Sequence, residues 1–172
     1  MPDSANLPQF KYHPNLYKLG ILEEFHGTCE CCGKEGDLFY QGMYTSEDVD
    51  YICPDCIASG RAAQKFGGTF IADWDKVDNP EAVDELLHRT PGYLSWQGEH
   101  WKACCNDYCA YLGPVGTKEL EELGIADDLF EPDGSFEGLE GARADLTKDG
   151  LLCGHLFRCL HCGSYKLVVE AG

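Results

Sequence analysis

The spacing of the cysteines constrains this chain more than any other feature. There are 11 in 172 residues, and they fall in groups: Cys29, Cys31 and Cys32 followed by Cys53 and Cys56; then Cys104, Cys105 and Cys109; then Cys153, Cys159 and Cys162. The count is odd. Residues 1–9 show no basic stretch ahead of an apolar core, so no secretory signal is expected. Both features favour metal-holding thiols in a reducing, cytoplasmic setting over a secreted disulfide framework.

Cys29-x2-Cys32-Gly33 and Cys53-Pro54-Asp55-Cys56 are two Cys-x2-Cys pairs separated by 20 residues. Two intervening residues let a tight turn aim both sulfurs at one ion, and Gly33 permits the unusual backbone that follows. A second pair completes a tetrahedron of thiolates, the preferred shell of structural zinc. The first pair is expected on a hairpin knuckle and the second at the start of a helix, an arrangement that resembles a treble-clef zinc finger. Iron in a rubredoxin-like site, or a redox dithiol at Cys53/Cys56, uses the same residues. A zinc deaminase does not fit, because the order here is Cys-Pro-x-Cys and no His-x-Glu is present.

Cys159-Leu160-His161-Cys162-Gly163 is a second knuckle with its own glycine. Cys105 and Cys109, with three residues between them, are the nearest unassigned pair and are expected to complete a second four-thiolate site. Cys104, His100, His155 and His161 are the substitutes if one of the four is not a ligand. Cys31, Cys104 and Cys153 are then spare thiols. An incomplete shell would leave a position for water, with Asp107 as a candidate base, and so allow a metal-dependent hydrolase. No phosphate loop, nucleophile elbow or zincin motif occurs, so no catalytic motif is recognisable.

Charge narrows the partners. Asp and Glu number 30 against 13 Lys and Arg, a formal net charge of −17. A chain that neutralises nucleic-acid phosphates needs clustered cations, so no nucleic-acid partner is expected. Two four-thiolate zinc centres at about −2 each would move the total to about −21. No apolar run approaches the ~20 residues of a membrane span.

Between the cysteine groups, residues 37–43 read as a strand of a hairpin and the segment after Cys56 as a short helix weakened by Gly60. A helix is predicted over Pro80–Arg89: Asn79 can cap it, Pro80 suits its first turn, and Val83, Leu86 and Leu87 make an apolar stripe. Residues 117–123 suggest another helix, and 151–158 and 164–170 two strands. Residues 119–149 carry 11 acidic and 2 basic side chains and read as a solvated helix followed by a surface loop. Pro8 and Pro14 make the opening an extended arm. The aromatics Tyr93, Trp96, Trp101, Tyr108 and Tyr111 read as core or pocket lining.

An ordered set of residues spans most of the chain: Leu7-Pro8, Phe10, Tyr12-His13-Pro14, the two first Cys pairs, Val83-Asp84-Glu85-Leu86, Arg89-Thr90-Pro91-Gly92-Tyr93, Trp96-Gln97, Cys105-x-Asp107-Tyr108-Cys109-Ala110, and Phe157 to Gly163. This set resembles the CbrC family of small bacterial proteins, linked by name to colicin tolerance and envelope stress. The resemblance implies a cytosolic protein with both cysteine pairings intact, and it supplies no reaction.

The expected architecture is therefore an α+β, metal-stapled fold. It divides into an extended arm over 1–19, a treble-clef-like zinc module over 20–70, a helical connector over 71–92, and a second zinc-knuckle β module over 93–172 with an acidic insert at 119–149. The expected ligands are Cys29, Cys32, Cys53, Cys56, Cys105, Cys109, Cys159 and Cys162, holding two zinc ions. The expected role is an interaction module with a protein partner, with a metal-dependent hydrolase or a thiol redox or metal sensor as alternatives.

Overall fold

The structure, a computed structural model, describes residues 6–172. Residues 1–5, the beginning of the expected arm, lie outside the described residues. Among the described residues, helix and strand are mixed in short pieces, and four small sheets take the place of one large one.

Among the described residues, the segment ahead of the 3-10 turn at Leu16–Lys18 contains no α-helix or strand. That segment is anchored by burial: Phe10, Tyr12, His13 and Leu16 are all inside. The first hairpin pairs β1 (Glu23–Thr28) with β2 (Glu35–Phe39) in antiparallel register. The helical segment after Cys53 is two helices, α1 (Pro54–Ala58) and α2 (Arg61–Phe66), because Gly60 adopts φ +79° and turns the chain between them. Helix α3 (Pro80–Arg89) forms as predicted, with the Asn79 side chain accepting from the Ala82 N–H at 3.3 Å. Its Leu86 and Leu87 are buried, whereas Val83 is only partly so.

A two-residue parallel pair, β3 (Asp73–Trp74) with β4 (His100–Trp101), ties the middle of the chain together. Directly after it comes a minimal hairpin, β5 (Ala103–Cys104) with β6 (Asp107–Tyr108). The largest sheet is antiparallel in the order β7 (Ala110–Val115), β8 (Leu152–Arg158), β9 (Tyr165–Ala171). Residues 153–157 of β8 are continuously buried, because both faces of this central strand are covered.

Two apolar clusters cover those faces. One contains Tyr12, Leu16, Phe39, Ile52, Ile57, Phe70, Leu86, Trp101, Tyr108, Tyr111 and Phe157. Tyr93, Trp101, Tyr111 and Phe157 form its aromatic centre, with Tyr93 stacked on Tyr111 at 4.2 Å. Trp96 stays largely exposed, so the expected aromatic set divides between core and surface. The second cluster corrects the reading of the acidic segment. Residues 119–149 are not a helix followed by a surface loop. They fold into α4 (Thr117–Glu122), α5 (Ala126–Leu129) and α6 (Ala142–Asp145), and bury Leu120, Ala126, Phe130, Ala142 and Leu146 against Val115, Leu156 and Leu167. The apolar residues are sparse and irregularly spaced, so the helical period is hidden by the acids between them.

Two buried histidines, His155 and His13, are set into the core. His155 neighbours Tyr111 Oη at 2.9 Å and Glu170 Oε1 at 2.8 Å, and Ser95 Oγ donates to the same carboxylate. Burial keeps His155 below the ordinary histidine value, so its neutral ring accepts from Tyr111 and donates from Nε2 to Glu170. His13 donates from Nδ1 to the Pro91 carbonyl at 2.9 Å, and its buried Nε2 has no partner among the described residues. Burial lowers its pKa to about 4.

Since the unfolded ring takes its proton near 6.5, His13 leaves stability intact above that pH. It removes stability progressively as pH falls toward about 4. Proton NMR of the His13 ring is expected to give a midpoint at about 4; a midpoint near 6.5 would contradict the buried neutral ring.

Candidate metal centres

Both hairpins that carry Cys-x2-Cys-Gly are closed by the same turn. In the first, the Cys29 N–H donates to Lys34 O at 2.9 Å and the Gly33 N–H donates to Cys29 O at 2.9 Å. In the second, the Cys159 N–H donates to Ser164 O at 2.8 Å and the Gly163 N–H to Cys159 O at 3.2 Å. Gly33 and Gly163 have φ of +76° and +75°, the left-handed conformation this turn demands. Strands β1 and β2 flank the first knuckle, and β8 and β9 the second.

Backbone N–H groups also point at sulfur, from the turns themselves and, in the first set, from Cys53 at the start of α1. Cys29 Sγ accepts from the N–H groups of Cys31 and Cys53, each at 3.3 Å. Cys159 Sγ accepts from His161 and Cys162 at 3.4 Å. Burial pushes the Cys29 thiol up, but the N–H donors outweigh it and bring the group down to about 7. Cys159 is lowered for the same reason, again against burial. Donors of this kind stabilise the thiolate, which is the form that binds metal.

The partner pairs reach the two knuckles by different routes. Cys53 is the residue before α1, with an extended backbone, and Cys56 lies one turn in. Glu30 holds this approach, its carboxylate accepting from the N–H groups of Asp50 at 2.7 Å and Tyr51 at 2.5 Å. From α2, Lys65 Nζ donates to the Cys31 carbonyl at 2.7 Å. The result brings Cys29, Cys32, Cys53 and Cys56 together, with all four Sγ atoms within 4.8 Å of one another. Cys29 to Cys56 and Cys32 to Cys53 are each 3.9 Å. A tetrahedron with sulfur about 2.3 Å from its centre has edges of about 3.8 Å, so the donors fit a tetrahedral ion such as zinc.

At the second knuckle the structure departs from the expected ligand set. Cys104, Cys105, Cys159 and Cys162 come together, again within 4.8 Å. Cys104 Sγ lies 3.8 Å from Cys105 Sγ and 3.6 Å from Cys162 Sγ. Cys109 stands outside this set. It is fully buried in the aromatic core, where its carbonyl accepts from Trp101 Nε1 at 2.9 Å, and burial pushes its thiol up to about 12.

The reason lies in the turn. Cys105 and Asn106, the two loop residues of the β5–β6 hairpin, have φ of +56° and +55°, the pattern of a type I′ turn. Adjacent side chains diverge in a strand, whereas the left-handed backbone at Cys105 swings its sulfur back beside that of Cys104. Cys109 lies beyond the hairpin, where the chain has already entered the core. The Cys104-Cys105-Asn106-Asp107 stretch carried a signal: Asn tolerates the left-handed region and favours two-residue turns. Asn106 is held by a reciprocal pair with the Asp78 backbone, at 2.8 and 3.0 Å.

The other proposed substitutes are engaged elsewhere. His100 lies between Asp73 and Asp75, each at 2.8 Å. His155 is in the core, and His161 Nε2 sits 2.9 Å from Asp107 Oδ2. Asp107 is itself fully occupied. Its Oδ1 accepts from Tyr12 at 2.6 Å and from the Tyr108 N–H at 2.8 Å, and Lys11 Nζ lies 3.3 Å from Oδ2. Burial raises this carboxyl, but hydrogen bonds from Tyr12 and His161 and the Lys11 charge outweigh burial and hold it at about 2. A group of that pKa is a weak base at neutral pH. Asp107 therefore serves as a clamp between the entry segment and the knuckle. Of the expected spares, Cys31 and Cys153 are buried outside both sets.

The two sets differ in exposure. Cys29 and Cys56 are buried and their partners half-buried, whereas Cys105 and Cys162 are exposed and only Cys159 of the second set is buried. Among the described residues no helix is long and apolar enough to cross a membrane.

Residues 7–171 match the model of an uncharacterised protein family, UPF0167. A UPF0167 protein of Pseudomonas aeruginosa is 37% identical over 169 residues, covering 91% of this chain and 93% of the relative. UPF0167 proteins of Mycobacterium bovis and Mycobacterium tuberculosis are each 39% identical over 167 residues, covering 91% of this chain and 89% of the relative. No solved structure matches the chain.

The knuckle glycine can be tested alone. An added Cβ at Gly33 meets nothing within 4 Å, so Gly33→Ala should cost only the left-handed backbone, about 1–2 kcal/mol. Gly33→Asn should cost less. Denaturant midpoints check this, and equal midpoints for Ala and wild type would contradict it.

Proposed function

The chain belongs to the UPF0167 family, and from that premise we propose that it is a two-zinc protein whose metal ions are structural and whose role is to bind another protein. The observation that carries this reading is the pair of four-sulfur sets, each with edges near those of a tetrahedral thiolate shell. Zinc is favoured by the all-sulfur donors and the tetrahedral spacing. Bound there, it would supply cross-links between distant parts of the chain. In the first set it would join a knuckle to a helix start, in the manner of a treble clef. In the second it would join the β5–β6 tip to the β8–β9 knuckle, across the acidic segment.

Four protein sulfurs leave no coordination position for water, which supports a binding role over a metal-dependent hydrolase. The net charge of −17 supports a protein partner over nucleic acid. The resemblance to the CbrC family supports a cytosolic place in envelope-stress or colicin responses.

Elemental analysis of the purified protein is expected to give close to two zinc ions per chain, one for each cysteine set. Cys104→Ser should lower this toward one, while Cys109→Ala should keep both and lose only core packing. Retention of both ions by Cys104→Ser, with loss of one by Cys109→Ala, would overturn the assigned second set.

A further inference from the structure

The difference in exposure between the two sulfur sets has a chemical consequence, which rests on the two-zinc reading above. We propose that Cys162 and Cys104 form a peroxide-sensitive modification site, at which a hydroperoxide links the two sulfurs and expels the metal of the second set while the first set keeps its own.

Three observations carry it. Cys162 is exposed, so a small oxidant reaches its sulfur directly, and its neighbours leave the approach open: the knuckle borders a surface recess lined by Leu112, Arg158, Leu160 and Gly163. Cys104 Sγ is 3.6 Å from Cys162 Sγ, a closer approach than the 3.9 Å pairs of the first set. Closing it to the disulfide length of about 2.05 Å needs a movement of about 1.5 Å, within reach of side-chain rotation at the tips of two turns. Third, the two sulfurs sit on different hairpins, 58 residues apart in sequence. A disulfide between them would staple the same two elements that the metal joins, so the fold around it can survive the loss of the ion.

The chemistry balances with hydrogen peroxide as the oxidant. The Cys162 thiolate attacks one peroxide oxygen; the O–O bond breaks, hydroxide leaves, and Cys162 becomes a sulfenic acid. The Cys104 thiolate then attacks the Cys162 sulfur; the S–S bond forms and the S–O bond breaks, releasing a second hydroxide. Two solvent protons convert the hydroxides to water. Two thiolates have lost two electrons and one peroxide has gained them. Cys105 and Cys159 remain as thiolates, half of the former shell, which is too few to hold zinc tightly. In the first set, burial of Cys29 and Cys56 keeps the oxidant from two of the four sulfurs, and Cys32 and Cys53 are only half-exposed.

The test uses the zinc-loaded wild-type protein, whose metal content is measured first. Hydrogen peroxide is added in steps with a chromogenic zinc indicator present, remaining thiols are alkylated, and the linked peptides are identified by mass spectrometry. The expected result is release of one zinc per chain ahead of the other, a Cys104–Cys162 linked peptide, alkylated Cys105 and Cys159, and reversal by a dithiol reductant with added zinc. Parallel loss of both ions, a Cys104–Cys105 link, or a link within the first set would overturn the proposal. A protein that carries two zinc ions and keeps both under peroxide overturns it too, and leaves the two-zinc reading standing. A protein isolated with no metal at the second set overturns both.

Discussion

Each knuckle must aim two sulfurs at one point while satisfying the backbone groups that such a tight turn exposes. The same pair of hydrogen bonds does this in both hairpins, from Cys29 to Lys34 and Gly33 to Cys29, and from Cys159 to Ser164 and Gly163 to Cys159. Further N–H groups turn inward to sulfur, at 3.3 to 3.4 Å. The cost of gathering thiolates in an already acidic chain is thus offset by backbone dipoles, fixed in the turn and, for Cys29, also supplied by Cys53 at the start of α1. The elements around each knuckle then bring a second pair of sulfurs to that point.

The two second pairs arrive by unlike means, and this sets what surrounds them. The helix that delivers Cys53 and Cys56 packs Ile57 fully into the core, so the first set is drawn inside. The minimal hairpin that delivers Cys104 and Cys105 reaches outward from Trp101 and Tyr108, and its tip remains at the surface. Asp107 and His161 brace that tip against the knuckle and, through Tyr12 and Lys11, against the entry segment. An interior set and a surface set therefore follow from the choice of helix or hairpin, with the same four donor atoms in each.

Much of this was legible in the residues. Pro80–Arg89 announced itself by cap, proline and stripe, and the Cys-x2-Cys-Gly spacing located both knuckles. The first four-sulfur set followed because its two pairs share one spacing rule. The second did not, because its outer pair is adjacent in sequence. Side chains one residue apart diverge along a strand, and these two meet because the backbone at Cys105 is left-handed; Cys105 is not a glycine that would flag such a position. Spacing rules thus favoured Cys109, a core residue. The folding of residues 119–149 was hidden for a different reason. Its apolar contacts are made by single residues on short helices against the sheet formed by the strands on either side of it, and acids dominate the windows between them.

Absorption spectroscopy at the zinc edge on the purified protein measures the ligand shells directly. Two all-thiolate sites predict a single shell of four sulfurs at about 2.3 Å with no nitrogen or oxygen component. A first shell containing a nitrogen from His161 or His100, or an oxygen from Asp107 or water, would contradict the assignment of Cys104, Cys105, Cys159 and Cys162 as a closed four-sulfur site.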